Sequence, residues 1–307
     1  MKTLHKDVIG KFPYSCRMKS ILMTLLFSIP FFVQACPISS ADLALKMMQS
    51  KNNKSLQHLM DQNLTEEEFN STVKRIRDYF TPVFAAAGKS INVYSSWSFP
   101  MNNAFATQDK NGTSVYFFGL FTMNKFMTKD SFLFVACHEI GHHLGGFPKQ
   151  TGSMSWASDE GQADYFAANK CYRELLKNDP ENENADKLVL SDSVKELCKA
   201  QYPAEDEYRI CLRSVRAGED VGKMLDYMKT SVESKQVLLL EPEPAPATKT
   251  LVAHPDPICR THGILSASLC NRPSDVAISD TDETVGVCHE KNGDKIGYRA
   301  LCWFKPE

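Results

Sequence analysis

The chain has 307 residues, 43% of them hydrophobic and 23% charged, with a formal net charge of −2. That length allows one substantial core with additions. The near-neutral balance excludes an electrostatic nucleic-acid binder, which would carry a basic patch or a strongly basic pI.

The N-terminus reads as an export signal. Ile21–Val33 is uncharged and mostly apolar, Arg17 and Lys19 precede it, and Ala35 follows. A basic segment, a short apolar run and a small residue make a signal peptide over 1–35. A spanning helix would need ~20 apolar residues, and Pro30 interrupts this shorter run. Met18 can serve as a second start. Ordinary cleavage after Ala35 is the favoured reading. Val33-Gln34-Ala35-Cys36 also resembles a lipoprotein box, which would place a lipid anchor on Cys36. No later run is long and apolar enough to cross a bilayer. The mature chain is expected to be soluble or lipid-anchored, periplasmic or extracellular, or alternatively an outer-membrane lipoprotein.

Residues 37–62 suggest a short helical entry. Thr65 opens a helix with Glu66, Glu67 and Glu68 in its first turn, and Phe69, Val73, Ile76, Tyr79 and Phe80 repeat at helical spacing. Gly88 ends that stretch. Ile91, Val93 and Trp97 suggest a strand. A polar turn around Asp109–Gly112 separates Asn103–Ala106 from Ser114–Phe121, which is β-branched and aromatic and reads as a strand. Either segment could offer an edge to an extended substrate. Thr128 and Gly145 bracket a helix whose Phe132–Cys137 stretch is apolar on every side, as in a buried central helix. Further helices are expected over 158–177, 185–200 and 205–229. Residues 241–250 are rich in proline and polar residues and read as a linker or surface loop.

Nine cysteines lie at or after position 36, namely 36, 137, 171, 198, 211, 259, 270, 288 and 302. None forms a CxxC pair, so disulfides in an oxidising compartment are expected rather than a thiolate metal site. Cys198–Cys211 and Cys259–Cys270 are plausible partners by proximity. The odd count leaves one cysteine over. Cys137, in an apolar run beside His138, is the expected free thiol, with a lipidated Cys36 as the other option. The final ~50 residues hold four cysteines and little periodicity, as a disulfide-stabilised appendage would. Asn-x-Ser/Thr triplets at Asn53, Asn63, Asn70 and Asn111 matter only in a glycosylating host, and the lipoprotein-like signal favours a bacterium.

The sharpest chemical feature is His138-Glu139-Ile140-Gly141-His142. Positions i and i+4 share one helical face, so both histidines can bind one metal ion, with Glu139 beside them to act on a metal-activated water. A buried helix does not bring two histidines and a glutamate inside without a use for them. A catalytic zinc needs a third protein ligand and an open position. Gly145 matches the glycine of the metzincin string, but the third histidine of that string would stand at 148, which is Pro148. Glu160, 18 residues past His142, is the better third ligand. Asp164 stands one turn later, where it can accept the outer N–H of a ligand histidine. Asp159 is the fallback, without such a partner one turn on.

HExxH with a downstream ExxxD is the gluzincin pattern. The chain resembles the M48 group, the Ste24/HtpX-related metallopeptidases. The likeness covers about 90–170: Asn103–Ala106, a strand ending Gly119-Leu120, the HExxH helix, then Glu160-x-x-Ala163-Asp164. Lacking transmembrane helices, it resembles the soluble, secreted bacterial branch. The spacing from His142 to Glu160 is short for the group. The resemblance implies an α+β, mostly helical zincin-like domain with a small sheet, and one zinc held by His138, His142 and Glu160. It also implies Glu139 as general base and a protein or peptide substrate. The expected organisation is a signal peptide at 1–35, a metallopeptidase domain at 36–235, a Pro-rich linker at 236–256 and a cysteine-rich segment at 257–307. Tyr165, His143 and His254 are candidates for the transition-state donor, while His262 and His289 read as ordinary residues. The alternatives are a non-catalytic envelope protein or chaperone-like module keeping a zinc site, and an interaction protein working through its C-terminal part.

Overall fold

A computed structural model describes residues 64–110, 112–230 and 244–306. The expected entry helix at 37–62, the signal segment and Cys36 lie outside these residues. Among the described residues no helix is long and apolar enough to cross a membrane. The described residues are mostly helical with one small sheet, an α+β arrangement.

Helix α1, Glu66–Ala86, starts where its capping signals stand. Thr65 Oγ1 accepts from Glu68 N, and Glu68 Oε2 accepts from Thr65 N at 2.8 Å. Its buried stripe is Phe69, Val73, Ile76, Phe80 and Phe84. Strands β1 (Ile91–Ser96), β2 (Ala104–Asp109) and β3 (Gly112–Phe118) form a sheet in the order β1-β3-β2. β3 runs parallel to β1 and antiparallel to β2. The Ser114–Phe121 segment therefore supplies the central strand and offers no free edge, while β2 does. The strand stops at Phe118, because Gly119–Met123 turns into a 3-10 helix. A Cβ on Gly119 would stand 2.2 Å from Trp97 O.

Helix α2, Lys129–Leu144, runs through the centre. Thr128 caps it and Gly145 ends it, and every residue from Ser131 to His143 is buried. Phe132 stacks on Phe69 of α1, ring centroids 5.1 Å apart, and meets Phe117 of β3 edge-on at 6.0 Å. The helix over 160–176 is continuous but not uniform. It comprises α3 (Glu160–Phe166), a π turn at Ala167–Cys171 and α4 (Tyr172–Leu176). The expected helix at 185–200 divides. Pro180–Lys187 is 3-10, and α5 (Asp192–Gln201) starts anew at Ser191, whose hydroxyl accepts from Val194 N. Asp179 and Pro180 open the first piece, and the polar ENENADK run has no apolar stripe to extend it. Helix α6 spans Glu205–Thr230. Its Arg213 grips Asp130, in the first turn of α2, through Nε and Nη2 at 2.9 and 2.7 Å.

The cysteine-rich segment shares this core. Helix α7, Pro257–Ser268, lies so close to α6 that a Cβ on Gly218 would stand 2.3 Å from Ile264 Cγ2. Ile264, Ala267, Cys270 and Val287 belong to the same buried cluster as Phe132 and Ile140. The chain from 244 to 256, expected to be a linker or loop, has no helix or strand but is tied down. Ala247 N donates to Leu301 O and Leu251 N to Trp303 O.

Among the described residues four disulfides join Cys137–Cys171, Cys198–Cys211, Cys259–Cys302 and Cys270–Cys288. Two expectations are corrected. Cys137 is no free thiol, because the π turn brings Cys171 to it. Cys259 reaches the chain end rather than Cys270, because the two lie at opposite ends of α7. Cys198–Cys211 agrees with the sequence reading. Peptide mapping of the unreduced protein should recover these four pairs, and a Cys259–Cys270 peptide would contradict the fold. C259A/C302A opens a loop of 43 residues and should cost about 4 kcal/mol in denaturant unfolding.

Candidate metal centre

Helices α2 and α3 build the centre. His138 and His142 stand one turn apart on α2, and Glu160 is the first residue of α3. The short connection between them is folded tightly. Ser158 N donates to His142 O, Asp159 N to Pro148 O and Gln162 Nε2 to Gly145 O, at 2.8, 3.0 and 2.7 Å. Gly146 has φ +73°, and a Cβ there would stand 2.5 Å from Ser279 O, so glycine is needed at this bend. A Cβ on Gly141 would stand 2.8 Å from Ala163 O, so the lack of a side chain lets the two helices approach.

Both histidines are held by Nδ1. His138 Nδ1–H donates to Asp164 Oδ1 at 2.8 Å, and His142 Nδ1–H donates to Ser158 O at 3.0 Å. Each ring therefore turns Nε2 towards Glu160, at 3.3 Å from Oε2 for His138 and 3.8 Å from Oε1 for His142. The three ligand atoms lie within 4.8 Å of one another, and all three residues are buried. This group could hold a metal ion. Glu160 Oε2 has no hydrogen-bond partner although it is buried. Such an atom is costly unless a cation meets it.

Burial and neighbouring charges shift the groups of the centre in both directions. Burial opposes ionisation of Asp164, but Arg260 and His138 outweigh it and hold its carboxyl down to about 2. Arg260 Nε and Nη2 bind the two Asp164 oxygens at 2.7 and 2.8 Å. Burial likewise opposes charge on Glu160, but the three histidines around it hold it well below its ordinary value. Burial pushes Glu139 up to about 7 and His142 down to about 4. His138 rises to about 10, because Asp164 and Glu160 overcome the effect of burial. Arg260 cancels Asp164.

The other candidates separate clearly. His254 is brought in: its Nε2 lies 3.1 Å from Glu160 Oε1, and its side chain is 32% exposed. Tyr165 is spent elsewhere. Its hydroxyl donates to Gly297 O and accepts from Cys288 N, and burial raises its pKa. His143 faces the sheet. Its Nε2–H donates to Ser114 O at 3.3 Å and its ring stacks on Trp156, while burial lowers it to about 3. Asp159 is the N-cap residue of α3, outside the ligand group, and burial pushes it up to about 7. His289 stays within the C-terminal region, where its backbone N–H donates to Asp294 Oδ2 at 2.8 Å. Sequence reading missed Arg260. A lone arginine in the apolar helix PICRTHGILSAS was the available signal, since a buried cation requires a partner.

Comparison of the chain with family models, with curated proteins and with solved structures finds no match.

Asp164→Asn keeps the shape but loses the charge behind His138. It should weaken metal binding ~10–100-fold in a chelator competition, and an unchanged affinity would contradict the role given to Asp164. Asp164 also links stability to pH. Its folded value lies below its ordinary 3.8, so its stabilisation is fully present above ~4 and is lost as pH falls through about 2. Arg260→Met, measured metal-free by circular dichroism, should move the acid-unfolding midpoint to higher pH.

Proposed function

We propose that this protein is an exported zinc-dependent endopeptidase of the gluzincin type, similar to the M48 group. The observation that carries the reading is the tie on both Nδ1 atoms, which turns two Nε2 atoms and Glu160 towards one point with Glu139 one residue from His138. Two imidazoles and a carboxylate suit zinc, and three protein ligands leave a position open, as catalytic rather than structural sites do. The four disulfides fit a non-cytoplasmic compartment.

When bound, zinc supplies a Lewis acid and makes a coordinated water acidic near ~pH 7. Glu139 takes the proton from the attacking water and returns it to the leaving amine. Its carboxyl is buried on the same helix as both histidines, one residue from His138. Asp164 and Arg260 hold His138 in one tautomer and orientation throughout. His254, whose Nε2 meets Glu160 Oε1 at 3.1 Å and whose side chain is 32% exposed, would turn from Glu160 to donate to the oxygen that gains charge at the scissile carbonyl. Strand β2, an edge of the sheet, can pair with an extended peptide.

Glu139→Gln should lower hydrolysis of unfolded casein by ~10²–10⁴-fold while one zinc per chain stays bound. Activity that survives with zinc bound would sink this mechanism. A wild-type protein that binds zinc and cleaves nothing would leave the non-catalytic reading. His254→Ala should reduce kcat by ~10²-fold or more with zinc retained.

A further inference from the structure

The face of α2 that meets α3 and α4 is one seam. Phe134 lies against Tyr172, ring centroids 6.1 Å apart. Cys137 is bonded to Cys171. Gly141 meets Ala163 and Phe166, and Gly145 meets Ser158. Positions 134, 137, 141 and 145 form a single helical stripe. His138 and His142 stand beside it, one residue past Cys137 and one past Gly141. Glu160 and Asp164 come from the helix on the other side. Sliding or rolling along this seam therefore changes the distances from both Nε2 atoms to Glu160.

The four seam contacts differ in kind. The two glycines allow close approach but, without side chains, interlock nothing. Phe134 and Tyr172 make a tilted ring contact that resists separation more than sliding. The disulfide is the one covalent link among them, and it fixes one point of α2 to one point of the π turn, directly beside His138.

We propose that Cys137 and Cys171 are positioning residues for the metal centre, and that the chain gains its full metal affinity only after their disulfide forms. The proposal rests on the metal-centre reading above. Without the bond, the His138–Asp164, His142–Ser158 and Gln162–Gly145 hydrogen bonds hold the two helices in register, and the ordering left to the ion is subtracted from its affinity. Two thiols lose two protons and two electrons as the bond forms. An external protein disulfide of a thiol-oxidising partner accepts them and leaves as a dithiol. Both cysteines are buried, at 0% and 2% exposure. A folded chain thus shields the bond from reductants, and the step is a one-way maturation. In a reducing compartment the same chain holds its metal weakly.

The test compares full-length wild type, C137A/C171A and C198A/C211A. The last removes a bond between α5 and α6, neither of which bears a ligand. Zinc affinity is read by chelator competition and folding by circular dichroism. C137A/C171A should bind zinc roughly ten-fold or more weakly, with C198A/C211A within about two-fold of wild type. Equal affinity in folded C137A/C171A overturns the proposal. If that variant is unfolded without metal, it is titrated with zinc. Folding that appears with a half-saturation at least ~ten-fold above that of wild type supports the proposal. Half-saturation at the wild-type value, or no folding at saturating zinc, overturns it, since the bond would then serve the fold at large. A wild-type protein that binds no zinc refutes the metal-centre reading instead, which keeps the two failures distinct.

Discussion

Asp164 sits between His138 and Arg260, and the candidate metal centre depends on that sandwich. On one side it accepts the Nδ1–H of His138, and on the other it receives the guanidinium of Arg260. Three helices, α2, α3 and α7, meet at this one carboxylate. A buried carboxylate with one weak partner would be costly, and one with a histidine and a bidentate arginine is well compensated. The arrangement fixes which nitrogen of His138 faces Glu160. It also gives α7 a direct part in a site whose His138, His142 and Glu160 lie about a hundred positions earlier.

That dependence explains the packing around the centre. Gly141 brings α2 and α3 together, Gly218 brings α7 onto α6, and Trp303 fills the space beside Gly161, next to Glu160. The Cys259–Cys302 bond ties the start of α7 to the chain end, one residue from Arg260. The cysteine-rich segment therefore holds the cation that holds Asp164. His254, on the chain leading into α7, reaches Glu160 from the same side.

The parts legible in the sequence were those with local signals. Thr65 and Thr128 announced their helices through capping chemistry that acts over three residues. Strand β3 could be read from a β-branched and aromatic run after a polar turn, whereas its partner β2 was only a segment before that turn. His138 and His142 were legible because helical periodicity places them on one face. Glu160 was legible because two histidines call for a third ligand, and an acidic residue with Asp164 one turn later suits that place. The hidden parts depend on which helix faces meet. The Cys137–Cys171 pairing needs the π turn, and nothing local in AANKC announces it. Arg260 lies 96 residues from Asp164, so only the packed fold identifies its partner. Tyr165 and His143 were reasonable donors by position, but helical rotation turned Tyr165 to the C-terminal loop and His143 to the sheet.

Zinc K-edge X-ray absorption on the purified protein tests the metal centre most directly. The predicted result is one zinc with two imidazole nitrogens and light oxygen ligands at ~2.0–2.2 Å, and no sulfur. A shell at ~2.3 Å from sulfur, or a protein that takes up no zinc, would contradict it.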